Sequence, residues 1–142
     1  MNNAPVSTET ILELVAAHVE AENRHDMDAT LRTLHPECVF VDYAMQRTFR
    51  GHEGAREHYL LWWSAFDLRV AGERRHVGRA TFCAETRFRG RHRGDFMGFA
   101  PTGREIDLHV AVFVEIRDGL MSAERFFYDM RGLMAQLACG AP

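Results

Sequence analysis

The stretch REIDLHVAVFVEIRDGLMSAERFFY, residues 104–128, decides the fold, because its apolar residues recur at almost every second position. Such alternation predicts β-strands with one buried and one exposed face. The RDG tripeptide at residues 117–119 indicates a tight turn between two antiparallel strands. The buried face of the first strand would carry Ile106, Leu108, Val110, Val112, Val114 and Ile116.

The amino-terminal residues indicate helices rather than strands. Residues 7–26, STETILELVAAHVEAENRHD, predict a helix whose apolar stripe is formed by Ile11, Leu14, Val15 and His18. His18 is therefore expected on a buried face. Asp26 is expected to cap a second helix over residues 27–35, which Pro36 would end.

Between these helices and the long hairpin, the periodicity changes twice. ECVFVD, residues 37–42, predicts a short strand, and a loop over residues 43–51 leads to a third helix. From Leu68 onward the period is two, which predicts a run of antiparallel strands, and Asp129 is expected to cap a closing helix. The apolar face of the third helix would carry Ala55, Tyr59, Trp62, Trp63 and Phe66.

These elements predict an α+β fold, with a curved antiparallel sheet packed against three N-terminal helices and a short C-terminal helix. The 142 residues are expected to form one domain, with flexible tails at 1–7 and 138–142. A concave sheet covered by helices encloses a pocket, which is where a ligand would bind.

The composition narrows the class of partner. The net charge of −3 gives no electrostatic case for binding nucleic acid or an anionic membrane. All 17 basic residues are Arg, which is typical of a GC-rich bacterial genome and leaves no lysine for a Schiff base. Cys38, Cys83 and Cys139 form no CxxC pair, and no export signal or long apolar run is visible. A reduced, cytoplasmic setting is expected.

The order of elements resembles the nuclear transport factor 2-like cone fold. Within it, residues 92–137, HRGDFMGFAPTGREIDLHVAVFVEIRDGLMSAERFFYDMRGLMAQL, resemble the SnoaL-like polyketide cyclases. The glycine-framed GDFMGFAPTGR, the RDG turn, ER followed by FYD, and the closing QL carry that likeness, which extends from about His18 to Leu137. It implies a small-molecule enzyme without a cofactor, although this fold supports many chemistries.

Comparison with the ketosteroid isomerase branch of this superfamily implies a base. That enzyme's catalytic Asp ends the first strand, sixteen residues after an Asp that opens the second helix, and Asp42 follows Asp26 by that interval. In the same register His18 takes the place of the oxyanion tyrosine. Tyr59 and Tyr128 fall on pocket residues.

Val112 occupies the position of the isomerase's second oxyanion donor. The His and Asp pair of the aromatic polyketide cyclases falls on Val112 and Phe126, so the residues of that mechanism are missing. The resemblance therefore implies a pocket that is more apolar than that of the ketosteroid isomerases or of the aromatic polyketide cyclases. Its substrate-binding wall would comprise Tyr128, Phe126, Val112, Trp62, Trp63, Met45 and Val110.

The sequence thus predicts an enzyme that enolises a polyketide-, terpenoid- or steroid-like carbonyl compound, by isomerisation or aldol-type cyclisation. Asp42 would be the base, with His18 and Tyr59 stabilising the enolate. Alternatively, Asp42 is an ordinary turn residue and His18 a packed histidine, in a module that only binds small molecules. An epoxide-hydrolase-like hydrolase is a further alternative.

Other polar residues give weaker signals. No spacing of the eight histidines matches a metal site, and no nucleotide or haem motif is visible. His92 is expected at the surface or at the pocket mouth. The Arg87, Arg89, Arg91 and Arg93 row is expected on one strand face, either solvated or paired with acidic residues such as Glu85 and Asp95. The outward face of the long strand, with His109, Ala111 and Phe113, predicts a homodimer interface.

Overall fold

A computed structural model describes residues 5–138, and residues 1–4 and 139–142, including Cys139, lie outside the described part. The predicted α+β class is confirmed. Two helices precede the first two strands, a third helix separates these from the remaining four strands, and a short helix closes the described chain. The elements are α1 (Thr8–Asn23), α2 (Met27–Arg32), β1 (Leu34–Asp42), β2 (Arg47–Arg50), α3 (Gly51–Trp63), β3 (Arg69–Val77), β4 (Thr81–Arg91), β5 (Glu105–Arg117), β6 (Leu120–Tyr128) and α4 (Met130–Ala138).

The six strands form one open, curved sheet in the order β2-β1-β6-β5-β4-β3. Neighbouring strands are antiparallel except β1 and β6, which run parallel. The predicted β5–β6 hairpin is confirmed, and Arg117 faces Leu120 across a two-residue turn. Asp118 and Gly119 have φ angles of 53° and 73°, the left-handed geometry that matches the twist of a tight hairpin.

Two element boundaries were predicted wrongly around Pro36. Helix α2 ends at Arg32 rather than at residue 35, and β1 begins at Leu34 and includes Pro36. Proline has no N–H for a strand ladder, and the β1–β6 register shifts between Leu34 and Val39, around the proline. Likewise, residues 47–50, predicted as loop, form the edge strand β2.

Each of the first two helices starts at a side-chain cap, and the cap at Asp26 was predicted. The Ser7 side chain accepts a hydrogen bond from the Thr10 amide at the start of α1, and Asp26 accepts one from Ala29 at the start of α2. Asp129 directly precedes α4, and its carbonyl accepts the Leu133 amide. Among residues 5–138, no helix is both long and apolar enough to cross a membrane.

The two sheet faces differ in chemistry. The inner face packs its apolar side chains against the helices, and Phe40, Phe66, Ile106 and Leu133 are almost completely buried. The outer face carries ion pairs. Those of the arginine row join Arg87 and Arg89 to Asp107, Arg91 to Glu105 and Arg93 to Asp67. This row therefore pairs with acidic residues, but with Asp107, Glu105 and Asp67 rather than with the expected Glu85 and Asp95.

Candidate active site

A cavity of about 470 Å³ lies between α1 and the inner faces of β3 to β6. Its walls are mostly apolar, with Leu12 and Val15 from the helix and Phe82, Phe88 and Val112 among those from the sheet. A space of this size, lined by apolar and aromatic side chains with a few polar groups, is typical of a small-molecule site.

Three ionisable side chains meet inside this cavity. His18 lies on the buried stripe of α1, Glu22 lies one turn later, and Glu124 projects from the inner face of β6. The His18 Nε2 atom is 3.4 Å from Glu124 Oε1 and 3.6 Å from Glu22 Oε2. Only 5% of the Glu124 side chain and 15% of the Glu22 side chain are exposed, so water cannot solvate full charges on both.

Hydrogen bonding identifies the histidine tautomer. The Thr33 hydroxyl donates to the Thr30 carbonyl at 2.6 Å, so towards His18 Nδ1, 2.7 Å away, it can only accept. The proton of a neutral His18 is therefore on Nδ1, and the lone pair of Nε2 faces the acidic side chains. Tyr59, whose hydroxyl lies 3.2 Å from Nε2, donates to that lone pair.

Burial controls the charge of this group. It lowers the pKa of His18 to about 4 and raises the pKa of Glu22 to about 8. The pKa of Glu124 is also raised well above its ordinary value, by burial and then by repulsion from Glu22. Near neutral pH the favoured state has a neutral imidazole and protonated carboxyls. Such a group can donate a proton and, after Glu22 ionises, accept one.

The residues predicted to form the site divide into two sets. His18, Val112 and Phe126 line the cavity, and Tyr59 is one hydrogen bond behind it. The others are placed away from its lining, in the packed region around α3 and the end of β1. They are Asp42, Tyr128, Trp62, Trp63, Met45 and Val110.

Asp42 is 1% exposed and has its own set of partners. Its Oδ1 accepts the Met45 amide at 2.8 Å and its Oδ2 accepts the Tyr128 hydroxyl at 2.9 Å. Burial raises its pKa, while the amides of Met45 and Ala44 and the Tyr128 hydroxyl act in the opposite direction. These contacts are those of a turn-stabilising carboxylate, and the catalytic role of Asp42 stays a prediction.

Two further histidines are buried away from the cavity lining. His92, expected near the surface, is fully buried against Phe66, and its Nδ1 lies 3.1 Å from the Thr102 hydroxyl. His58 stacks on Phe126, and burial, followed by repulsion from Arg47, lowers its pKa to about 3. Among residues 5–138, no group of three or more His, Cys, Asp or Glu residues is arranged to hold a metal ion.

The sequence analysis missed Glu22 and Glu124. A usable signal was present for both, since each is a charged residue on a face that the periodicity assigns to the interior. Glu22 follows His18 by four residues along the apolar stripe of α1. Glu124 pairs with Val114 of the long strand and therefore shares its inner face.

With this geometry described, comparison with known proteins identifies the family. Residues 12–137 match the model of the SnoaL-like polyketide cyclases. The chain belongs to this family. Comparison with functionally curated proteins gives no significant sequence match.

Solved structures share the fold of this SnoaL-like chain. A protein from Jannaschia sp. CCS1, provisionally named a SnoaL-like polyketide cyclase, is 21% identical with a TM-score of 0.86, and the match covers 99% of each chain. TsrD from Streptomyces laurentii is 26% identical with a TM-score of 0.83, over 95% of this chain and 99% of that one. AclR from Streptomyces galilaeus, provisionally named a hydroxylase, is 21% identical with a TM-score of 0.82, over 96% and 87%. The nuclear transport factor 2-like fold is thereby confirmed.

Proposed function

We propose that this SnoaL-like protein is an enzyme that enolises an apolar carbonyl compound, leading to isomerisation or aldol-type ring closure. One observation carries the proposal: two buried carboxyl groups meet a neutral histidine inside an apolar cavity. Raised carboxyl pKa values next to a substrate-sized space are typical of general acid–base catalysis. The substrate would be polyketide-, terpenoid- or steroid-like, with its hydrophobic body against Phe82, Phe88 and Phe126.

The two carboxyls have different expected roles. Glu22 is the more exposed and loses its proton at a pH of about 8, so its carboxylate would remove the proton next to the substrate carbonyl. Burial raises the pKa of Glu124 well above its ordinary value, so its protonated carboxyl would donate to the carbonyl oxygen as the C–H electron pair becomes the enol double bond. His18 Nε2 lies within 3.6 Å of both and would stabilise either proton position, with Tyr59 positioning the ring.

This chemistry requires no organic cofactor, because a proton is moved and no electrons are exchanged with an external acceptor. Asp42 remains a second candidate for the base, since its buried carboxyl also has a raised pKa. A non-catalytic binding module is the competing proposal, and it requires the same cavity without proton transfer.

Exchange of substrate hydrogen with solvent tests the proposal without knowledge of the natural substrate. The protein is incubated in D2O with enolisable aryl ketones such as 2-tetralone, and loss of the alpha-proton signal is followed by NMR. An enolising enzyme accelerates deuterium incorporation above the buffer rate, and faster as the pH rises towards 8. Ketone binding with no acceleration at any pH would favour the binding module.

We also propose a homodimer formed through the outer sheet face. Tyr43, Phe113 and Phe127 are 49%, 41% and 43% exposed. The Phe127 ring contacts both others, and its centroid is 4.5 Å from that of the stacked Tyr43 ring. A cluster of exposed aromatic rings is typical of an interface core. These rings lie on the same face as the predicted residues His109 and Ala111.

Phe127→Glu is expected to convert the dimer into a monomer at micromolar concentration, because a charge would be buried at the interface centre. Sedimentation velocity measures the change. Leu60→Glu is the matched control, since Leu60 is an equally exposed apolar residue on α3, at 51%. A wild-type protein that sediments as a monomer at tens of micromolar would contradict the dimer.

A further inference from the structure

A β-bulge in the edge strand β3 changes which side chains face the cavity. Before the bulge, Val70 and Gly72 pair with the inner-face residues Phe88 and Thr86 of β4. The register shifts between Gly72 and Arg74, and Arg75 then pairs with the inner-face residue Ala84. One extra residue reverses the inward and outward alternation of a strand, so the bulge turns Arg75 towards the concave side.

The residues next to Arg75 in the bulge are engaged elsewhere. Glu73 and Arg74 also border the cavity. Their charged ends, however, are engaged by outer-face residues: Glu73 pairs with Arg87 and His109, and Arg74 lies 3.6 Å from Glu85. Arg75 lines the cavity, and its side chain has no ion pair or hydrogen bond with any residue between positions 5 and 138. A free guanidinium at the edge of an apolar cavity is a ready partner for a carboxylate.

We propose that the cavity takes an anionic substrate, with the apolar body inside and a carboxylate bound by Arg75 at the rim. This inference rests on the proposed function, because it takes the cavity as the substrate site, and it narrows the substrate to a carbonyl compound that is also an acid. Arg75 would then determine specificity and orient the substrate, leaving its carbonyl end near Glu124 and Glu22.

The cavity interior is compatible with this orientation. The ionisable groups that line its interior are His18, Glu22 and Glu124, and those at its rim are Glu73, Arg74 and Arg75. The Glu73 carboxylate is paired with Arg87 and His109. Burial keeps His18 neutral and favours protonated carboxyls on Glu22 and Glu124 near neutral pH, so these three groups do not repel an anion. A carboxylate placed deep in the cavity would lose its hydration without gaining a cation, whereas at the rim it gains Arg75.

Two fluorescent probes that differ by one charge test the inference. The first is 1-anilinonaphthalene-8-sulfonate, and the second is N-phenyl-1-naphthylamine, which has the same ring system without the sulfonate. Both are titrated into the folded protein at pH 7 and into its Arg75→Gln and Arg74→Gln variants. The second variant is the matched control, because it removes the same charge from the neighbouring residue, which also borders the cavity but whose guanidinium is paired with Glu85.

Arg75→Gln is expected to weaken binding of the sulfonate about tenfold, as for loss of one charge-assisted hydrogen bond, and to leave the neutral probe unchanged. Arg74→Gln should leave both affinities within about twofold, because the Arg74 guanidinium is paired with Glu85 on the outer face. If the two variants weakened sulfonate binding equally, or if neither weakened it, the proposed role of Arg75 would be overturned. Binding of the neutral probe would in that case still support the cavity as a ligand site. If neither probe bound the wild-type protein, the cavity itself would fail as a ligand site, and the inference with it.

Discussion

Glu22→Gln and Glu124→Gln are each expected to slow enzyme-catalysed deuterium exchange of an aryl ketone by about 100-fold or more. Glutamine keeps the shape and hydrogen-bonding capacity of the carboxyl but cannot release or take up a proton. Glu22 would lose the carboxylate that abstracts the alpha proton, and Glu124 the acid that protonates the oxygen. The effect should appear in kcat, because the apolar walls that bind the substrate are unchanged.

The matched control is Glu20→Gln, a substitution on the same helix at a side chain that is 71% exposed and pairs with Arg24. It should leave exchange unchanged. Asp42→Asn is measured in parallel to test the sequence-based prediction directly. Full activity of both cavity variants together with loss of activity in Asp42→Asn would contradict the assignment and return the base to Asp42.

The free energy of unfolding is expected to depend strongly on pH and to be largest at about pH 5.5. Below that pH, His18 and His58 take up protons on unfolding, because their folded pKa values of about 4 and 3 lie below the ordinary 6.5. Stability is therefore lost as the pH falls through this window. Above it, Glu22 and Glu124 release protons on unfolding, because their folded pKa values are raised above 4.5. Stability is then lost as the pH rises towards 8.

The alkaline side of this profile should have a slope of about 1 to 2 kcal/mol per pH unit near pH 7. Urea unfolding followed by circular dichroism at half-unit intervals from pH 4.5 to 8.5 measures it. Glu124→Gln is expected to flatten the alkaline side and to stabilise the protein at pH 8, since an uncharged amide replaces a buried acid. Stability that rises or stays level from pH 6 to 8 would contradict the buried carboxyl pair.

The fold could be predicted because its signals are local and repeated. Six apolar residues alternate along β5, the RDG turn supplies the left-handed positions of the hairpin, and Ser7 and Asp26 cap their helices. The errors around Pro36 arose because a proline normally ends a helix, whereas here it lies in a strand at an irregular register. No pattern in the sequence marked the short edge strand β2.

The site was harder to predict because it depends on contacts between distant elements. His18 was found, since its position on the apolar stripe of α1 is visible in the sequence. Glu124 is 106 positions away, and only the parallel pairing of β1 with β6 and the strand order bring it opposite α1. Asp42 has the spacing of a catalytic base, yet the Met45 amide and the Tyr128 hydroxyl occupy its oxygens.

The central claim is that Glu22 and Glu124 hold protons inside the cavity at neutral pH. Carboxyl-resolved NMR titration of protein labelled with carbon-13 at the glutamate side chains tests it most directly, with Glu22→Gln and Glu124→Gln assigning the two signals. We predict a pKa of about 8 for Glu22 and a pKa well above the ordinary 4.5 for Glu124. If every glutamate titrated near its ordinary value of 4.5, the cavity would contain two solvated carboxylates, and the proposed acid–base site would be wrong.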